Sequence, residues 1–408
     1  MALDMNSTFA PIMKELYTPN EIQELVLTDR PGLAIAKRRE DFYGSDAKQP
    51  TLYGNPQNRS ADFSTALAQT STSSASAFLV TTVKDYSFCS IDNRTIEASK
   101  NDKGAFTEAL DYEIEGALNS LSNSMSRQFY RSGWGDIARI GNITGTTITL
   151  SLASSSFNFE KGMKIVFAST QASSVLRSGT SVTVNSVNRA TGTITISAAT
   201  GSPQNGDWIF CDGDRQNSAT PTRVCMSGLD AWVPFGGVSP SESFFGVDRS
   251  VDSRLYGNSL DATGQNIEDA LLSSLLLSSQ NGGNPDFMLV NPVQYTALVR
   301  TLGSKVQYID LDVDNVKVGF RGIQIQGPKQ VVTVLQDIWC PGDRAYTVES
   351  KNILLHSTGP APKMFDTDGI PYLRSNSQDG VDVRIYSYAQ VRVLQPSHFV
   401  TTQLTPVG

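Results

Sequence analysis

The longest stretch with helical periodicity runs from Phe106 to Tyr130. Apolar residues recur there every three or four positions and mark one face for burial: Phe106, Leu110, Ile114, Leu118, Leu121, Met125 and Phe129. Asn101 or Asp102 is placed to cap the start, acidic residues fill the first turns, and Gly133 follows the end. The pattern predicts one helix of about 37 Å, longer than a compact domain of ordinary size requires.

Ahead of this helix, residues 49–100 predict two β segments without a helix. The segments are residues 50–65 and 76–91, and the small polar stretch 66–75 between them predicts a flexible hairpin tip. In the second segment, apolar and polar residues do not separate cleanly between the two faces. Because a two-stranded ribbon buries too little surface to be stable alone in water, we expect this hairpin to need a neighbour.

Residues 1–48 predict an arm with short helical turns. Thr18 is placed as an N-cap and Pro19 as the first helical residue, but the apolar stripe that follows is too narrow for a core of its own. We therefore expect the arm to lie on another surface. The basic triplet 37–39 has two interpretations, a nucleic-acid contact or a solvated, salt-bridged face, and the second is favoured.

Residues 136–215 differ in character, because serine, threonine, glycine and β-branched residues dominate and charges are few. A weak repeat relates TGTTITLS at 144–151 to TGTITIS at 191–197. Each copy is followed by a glycine-led strand, KGMKIVF at 161–167 and NGDWIF at 205–210. Two related hairpin units predict a small β-barrel or sandwich inserted into the chain. A carbohydrate-binding module is disfavoured, since the aromatic residues Phe157, Phe159 and Trp208 are interpreted as core.

From residue 241 onward the pattern becomes α/β. The predicted elements are a helix capped by Asn266 and stopped at Gly282–Gly283, a strand within 285–291, a helix with Asn291 as cap and Pro292 at its first position, and strands at about 321–326, 330–336 and 344–349. From residue 380, alternation of apolar and polar positions predicts a long, half-buried strand.

Composition narrows the class of protein. A chain of 408 residues can form two or three domains with a sizeable core. A net charge of −7 gives no basic field for nucleic-acid binding. The four cysteines (Cys89, Cys211, Cys225 and Cys340) form no CxxC pair, which favours reduced thiols in a cytoplasm. Neither a signal peptide nor a membrane-spanning run of apolar residues is predicted.

The search for catalytic chemistry yields little. His356 and His398 lie in separate segments, and the chain has neither GxxxxGK[ST] nor GxGxxG. The acidic run 310–315 resembles the start of a calcium loop, but it lacks the sixth-position glycine and has Arg321 where the bidentate glutamate should be. The DTDG sequence at 366–369 fits a turn better than a metal site. We therefore predict no catalytic, cofactor-binding or metal-binding residue and no enzyme activity.

The order of these parts, together with several local sequences, resembles the major capsid proteins of tailed bacteriophages, which have the Hong Kong 97-type fold. The sequences that carry the resemblance are STFAPIMKELYT, YGNPQNRSADFSTA, VKDYSFCSIDNRTIEAS, GAFTEALDYEIEGALNSLSNSMSRQFYRSG, GLDAWVPFGGV and RIYSYAQ. The resemblance implies an α+β fold with an inserted all-β barrel domain. Its implied parts are an N-terminal arm (1–48), an E-loop hairpin (49–100), the spine helix of the peripheral domain (101–135), the inserted barrel (136–215), a return to the peripheral domain (216–240), an axial domain (241–365) and C-terminal strands of the peripheral domain (366–408).

The function that the resemblance implies is architectural. Several hundred copies would form hexamers and pentamers of an icosahedral head around double-stranded DNA, after assembly in the host bacterial cytoplasm. The implied partners are a separate scaffolding protein, a portal at one vertex and the packaged DNA. Some members of the family also bind a decoration or cement protein. No membrane partner is implied. Two alternatives stay open: an encapsulin-like nanocompartment shell, and a glycan-binding or hydrolytic protein built on the β insertion.

Overall fold

The computed structural model describes residues 30–92, 103–172, 176–177, 180–198, 203–215, 222–239, 242–302, 308–310, 321–365, 373–374 and 379–406. The α-helices are α1 (Pro31–Ile35), α2 (Phe63–Ala68), α3 (Lys103–Tyr130), α4 (Leu229–Trp232), α5 (Ile267–Gln280) and α6 (Pro292–Leu302). Short 3-10 helices cover Ala153–Asn158, Ser253–Leu255, Ser350–Asn352 and Pro396–His398.

The strands before α5 are β1 (Lys37–Arg39), β2 (Ala47–Gly54), β3 (Ser74–Val80), β4 (Val83–Asp92), β5 (Asp136–Thr144), β6 (Thr147–Leu150), β7 (Lys164–Ala168), β8 (Val182–Asn188), β9 (Thr193–Ile196), β10 (Trp208–Cys211), β11 (Ser243–Phe244), β12 (Val247–Asp248) and β13 (Asn258–Asp261). The later strands are β14 (Phe287–Val290), β15 (Tyr308–Asp310), β16 (Arg321–Gln326), β17 (Val331–Gln336), β18 (Arg344–Val348), β19 (Ile353–Ser357), β20 (Lys363–Met364), β21 (Leu373–Arg374), β22 (Gly380–Val393) and β23 (Val400–Gln403).

The spine helix α3 packs on the first sheet. The 14-residue strand β22 is the centre of this sheet and pairs with β4, β19, β20 and β21, while β1 adds to β19 in parallel. The predicted apolar face of α3 is confirmed where its side chains are described, because Ile114, Leu118, Leu121, Met125 and Phe129 are all buried. The side chains of Phe106 and Leu110 and the capping positions 101–102 lie outside what the structure describes. The helix has 28 residues and is therefore about 42 Å long.

The second sheet has the order β13-β23-β18-β14-β17-β16-β15 and carries α5 and α6. Leu271 and Leu298 of these helices share a buried cluster with Met288 of β14. The predicted helices and strands of this region are confirmed; Asn266 occupies the N-cap position of α5, but its side chain makes no capping hydrogen bond. Asn291 caps α6, since its Oδ1 accepts a hydrogen bond from the N–H of Val293 at 3.2 Å.

Three strands pair outside the sheet that most strands of their sequence range form. β19 and β20, inside the range 241–365, pair with β22 in the first sheet, and β23, inside 366–408, pairs with β13 and β18 in the second. The chain therefore crosses from the second sheet to the first after β18 and returns before β23. Periodicity identifies a strand, but it does not identify the strand's partner.

Six described strands close into a barrel in the order β10-β5-β6-β9-β8-β7. The two copies of the weak repeat are neighbours, because β6 pairs with β9 and Ile148 lies opposite Ile194. The two glycine-led strands β7 and β10 also pair with each other. The predicted barrel is present, with Phe159 fully buried in its core. Phe157 was wrongly assigned to the core: its side chain is 39% exposed.

The hairpin differs from the prediction in two ways. Only β2 and β3 form it, since β4 leaves after Val80 and pairs with β22 over ten positions. The prediction of no helix in this region was wrong, because α2 lies at the tip. At the base, Phe78 and Val80 are fully buried, and the ring of Phe78 meets that of Trp232 edge-on at 5.4 Å. The hairpin base is thus part of the subunit core, whereas among the described residues the tip around Phe63 and Leu67 is exposed.

Candidate assembly surfaces

The two histidines do not meet and form no catalytic constellation with each other. His356 lies on β19 of the first sheet, and its Nε2 is 3.0 Å from Asp41 Oδ1. His398 Nδ1 lies 2.6 Å from Glu349 Oε2, beside the second sheet. Within the described part of the chain, no group of three histidine, cysteine, aspartate or glutamate side chains could hold a metal ion. Residues 311–315 and 366–369 lie outside the described residues.

The basic triplet 37–39 is the short edge strand β1. Its Arg39 lies 4.0 Å from Asp41, with both side chains largely exposed, as the salt-bridged interpretation predicts. Arg38 points to the interior, and burial lowers the pKa of its guanidinium. No helix in the described residues is long and apolar enough to cross a membrane.

The tip of the hairpin exposes apolar side chains on a preformed helix. Phe63 and Leu67 are one turn apart on α2 and are 81% and 66% exposed, and no residue of α2 is buried. The Asp62 carboxylate caps the helix by accepting a 2.9 Å hydrogen bond from the N–H of Thr65. A six-residue helix gains little from its own hydrogen bonds, so a surface that covers Phe63 and Leu67 would stabilise it.

A second exposed apolar surface lies on the first sheet, on the side away from the spine helix. We call it the aromatic face, and its members are Tyr86, Phe88, Phe365, Tyr386 and Tyr388. Tyr86 and Phe88 are 60% and 57% exposed. Along β4 they alternate with residues that face the helix, since Asp85 accepts a hydrogen bond from Ser124 of α3.

The rings of the aromatic face are held in fixed relation to one another. The hydroxyl groups of Tyr86 and Tyr388 are 3.2 Å apart, and the ring centroids of Tyr386 and Tyr388 are 4.7 Å apart. The hydrogen bond with Tyr86 raises the pKa of Tyr388 to about 12. Phe365 meets Tyr386 edge-on at 6.1 Å. A contiguous aromatic patch of this kind on a protein surface is typical of an interaction site.

Sequence reasoning found neither surface. The alternation of Tyr86 with Phe88 and of Tyr386 with Tyr388 is visible in the sequence, but only the antiparallel pairing of β4 with β22 brings the four rings together. The signal for α2 was Asp62 as an N-cap ahead of Phe63 and Leu67.

Comparisons with known proteins agree with this architecture. No protein-family model matches the chain, and no curated protein matches it. Among solved structures, the chain overlaps the capsid asymmetric unit of cyanophage A-1(L) with a TM-score of 0.54 at 10% identity, over 93% of this chain and 94% of that one. Lower scores come from the capsid of an empty GTA particle (0.46, 8% identity, 93% and 97% covered) and the holo-SrpI encapsulin complex of Synechococcus elongatus (0.42, 10% identity, 92% and 88% covered).

Of these three structures, only the cyanophage capsid exceeds a TM-score of 0.5, and the fold assignment rests on it. An overlap that covers nearly all of both chains shows a shared fold. The chain has the α+β fold of the Hong Kong 97-type phage capsid proteins, as the resemblance predicted, and carries a closed six-stranded barrel.

Proposed function

We propose that this chain is the major capsid protein of a tailed bacteriophage and that its copies assemble into the icosahedral head around double-stranded DNA. The observation that carries the proposal is that a chain with the capsid fold exposes two separate apolar surfaces, the α2 tip and the aromatic face. Because both are exposed in the isolated subunit, neither covers the other. Surfaces of this kind are covered when a second copy binds.

The two surfaces support a head-to-tail contact in which α2 of one copy lies on the aromatic face of the next. Phe63 and Leu67 would bury their side chains against Tyr86 and Phe88. Such a contact uses different patches on the two partners, so it repeats from copy to copy and forms a ring when the rotation between copies closes. Each contact is small, and closure of the ring makes the assembly stable.

The domain assignment extends the same proposal. Residues 1–48 would be the arm, 49–100 the E-loop, 101–135 and 216–240 the peripheral domain, 241–365 the axial domain, 366–408 the C-terminal strands and 136–215 an inserted barrel. With the observed pairing, β19 and β20 would belong to the peripheral sheet and β23 to the axial one. The partners would be a separate scaffolding protein, a portal and, on some heads, a decoration protein. The role is structural rather than enzymatic, its location is the virion, and assembly takes place in the host cytoplasm.

Electron microscopy of the expressed protein tests the proposal. The chain, expressed with and without a scaffolding protein from the same genome, should yield uniform closed shells of megadalton mass in negative stain. Nucleic acid in particles from infected cells would fit a head, whereas a cargo enzyme in its place would indicate a nanocompartment. A chain that stays monomeric at high concentration in both expressions would contradict the proposal.

A tip variant tests the assembly surface without disturbing the core. The double substitution Phe63→Ser and Leu67→Ser changes only exposed side chains, so the subunit should fold and fail to form shells. Val251→Ser is the matched control, because Val251 is 61% exposed but belongs to neither surface. Normal shells from the tip variant would rule out the role proposed for α2.

A further inference from the structure

A small two-stranded ribbon, β11–β12, lies against the base of the hairpin. Its two strands are joined by the two-residue turn Phe245–Gly246. The carbonyl oxygen of Phe245 accepts a 2.9 Å hydrogen bond from the N–H of Leu79 in β3. The ring of Phe244 in the ribbon also meets that of Phe78 in β3 edge-on, with the centroids 6.4 Å apart. The base of the hairpin is therefore joined to a separate element through both its backbone and a side chain.

The turn of the ribbon is strained at Phe245. Among the described residues, Phe245 is the one residue other than glycine that has a positive φ, at +48°, and Gly246 follows at +82°. A two-residue hairpin turn of this kind is normally formed by Asn-Gly or Asp-Gly, because these residues adopt a positive φ more readily than a bulky residue does. Strain persists only where the surrounding contacts impose it, and it is concentrated at positions that serve a function.

Aromatic contacts with the core hold the turn in this conformation. The ring of Phe245 packs on that of Trp232 with the centroids 5.7 Å apart, and Phe244 meets the same indole edge-on at 5.0 Å. Trp232 is itself fixed, because it is fully buried and its Nε1 donates a 3.0 Å hydrogen bond to the backbone oxygen of Val391. The ribbon therefore rests on a residue that is bonded to the centre of the first sheet.

A buried arginine fixes the open end of the ribbon. Arg249 directly follows β12, and its guanidinium lies 4.1 Å from the ring centroid of Phe244. It donates hydrogen bonds to the backbone oxygen of Ala231 in α4 at 2.6 Å and to Glu242 Oε1 at 2.8 Å. Glu242, which directly precedes β11, also accepts from Arg223 at 3.1 Å. The two residues that flank the ribbon are thus joined to each other and to α4.

The hairpin has a second anchor on its other strand. Gln49 of β2 is buried, and its Nε2 donates a 2.9 Å hydrogen bond to the backbone oxygen of Val393. Its Oε1 accepts a 2.7 Å hydrogen bond from Arg392 Nε. Both partners belong to β22. An anchor on one strand fixes the position of the hairpin but permits rotation about the point of attachment, whereas anchors on both strands fix its direction.

We propose that the β11–β12 ribbon is a clamp that sets the direction of the hairpin and thereby positions α2 at its tip. The direction matters because β3 extends about 17 Å from Leu79 to Ser74, so a rotation of about 10° at the base moves its outer end by about 3 Å. Contacts of Phe63 and Leu67 with a partner need heavy atoms within about 4.5 Å, and a displacement of this size breaks them. The clamp lies within one subunit, so it acts whether or not copies assemble as proposed above.

Distances between two spin labels test the clamp in unassembled, full-length subunits. The labels are attached to Ala68→Cys in α2 and Ser273→Cys in α5, both at exposed positions. Leu79→Pro removes the N–H that reaches Phe245 but no hydrogen bond within the hairpin, because this N–H points away from β2. The distance between the labels should follow one narrow distribution in the otherwise unmodified subunit. The distribution should become at least about twofold broader in Leu79→Pro.

Ala75→Pro is the matched control. Ala75 lies four residues before Leu79 on the same strand, so its N–H also points away from β2. None of the described contacts gives this N–H a partner outside the hairpin. The control should keep the narrow distribution, and the circular dichroism spectrum should be the same with and without either proline.

A second variant keeps the test open if Leu79→Pro does not fold. Phe245→Asn introduces a residue that accepts the positive φ of the turn but lacks the ring that packs on Trp232. The distance distribution should again broaden. A folded clamp variant that keeps the narrow distribution, or a control that broadens as much as Leu79→Pro, would overturn the proposal.

Discussion

The hydroxyl group of Tyr130 donates a 2.7 Å hydrogen bond to the carboxylate of Asp337. Tyr130 is the last residue of the spine helix, and Asp337 directly follows β17 of the second sheet. The backbone N–H of Gly32 in α1 donates to the same carboxylate oxygen at 3.0 Å. One buried carboxylate thus joins the helix of the first sheet, the second sheet and the start of the described chain.

Removal of this hydroxyl group should weaken the connection between the sheets. Tyr130→Phe leaves the buried Asp337 carboxylate with one donor fewer, and we expect the free energy of unfolding to fall by about 1–2 kcal/mol. Urea denaturation of unassembled subunits, followed by circular dichroism, measures the change. Tyr86→Phe is the control: it removes an exposed hydroxyl group and should change stability by less than about 0.5 kcal/mol. Equal effects of the two variants would contradict the role of Asp337.

Gly32 should not tolerate a side chain. A Cβ atom at this position would collide with the Tyr130 hydroxyl group and lie 2.9 Å from Asp337 Oδ2. We expect Gly32→Ala to lower the free energy of unfolding by about 2 kcal/mol, because the three groups cannot all keep their positions. Gly116→Ala on the spine helix should have the opposite sign and stabilise the protein by about 0.5–1 kcal/mol, since a Cβ there meets open space. Thermal unfolding measures both effects: the melting temperature should fall in Gly32→Ala and rise in Gly116→Ala.

Three of the four thiols, those of Cys211, Cys225 and Cys340, should be unreactive in the folded protein. Burial raises the pKa of Cys225 and Cys340 well above the ordinary value and that of Cys211 to about 11. Because the thiolate is the reactive form, alkylation by iodoacetamide at pH 7.5 should be at least about a hundredfold slower in native protein than in urea. Mass spectrometry of the three cysteine peptides measures both rates. A thiol that reacts in native protein as fast as in urea would show that its site is open.

The sequence predicted those elements whose determinants are local. The stripe from Ile114 to Phe129 lies within one helix, so its spacing alone predicts the helix. The repeat at 144–151 and 191–197 predicted related hairpins, and in the structure its two copies form neighbouring strands of one barrel, with Ile148 opposite Ile194. In both cases the information needed is contained in a few adjacent residues.

Elements that depend on distant partners could not be predicted. β4 was assigned to the hairpin because it follows β3 after two residues, whereas its partner β22 is about 300 residues further along the chain. The aromatic face depends on the same pairing, so it could not be found from either strand alone. The ion pair of Arg127 with Asp214 is a similar case, because the two residues come from separate elements that only the fold brings together.

A mixture of the tip variant with a variant of the aromatic face should restore one contact between subunits but should not form shells. The tip variant (F63S/L67S) keeps its aromatic face, and a face variant (Tyr86→Ser with Phe88→Ser) keeps its tip. In a mixture, the intact tip of the face variant can bind the intact face of the tip variant, but the resulting pair has no further intact surface and cannot extend. Each variant alone should therefore sediment as a monomer, and the mixture should form dimers at high concentration without larger rings. Sedimentation velocity measures this. A mixture that sediments like its two components would show that α2 binds some surface other than the aromatic face.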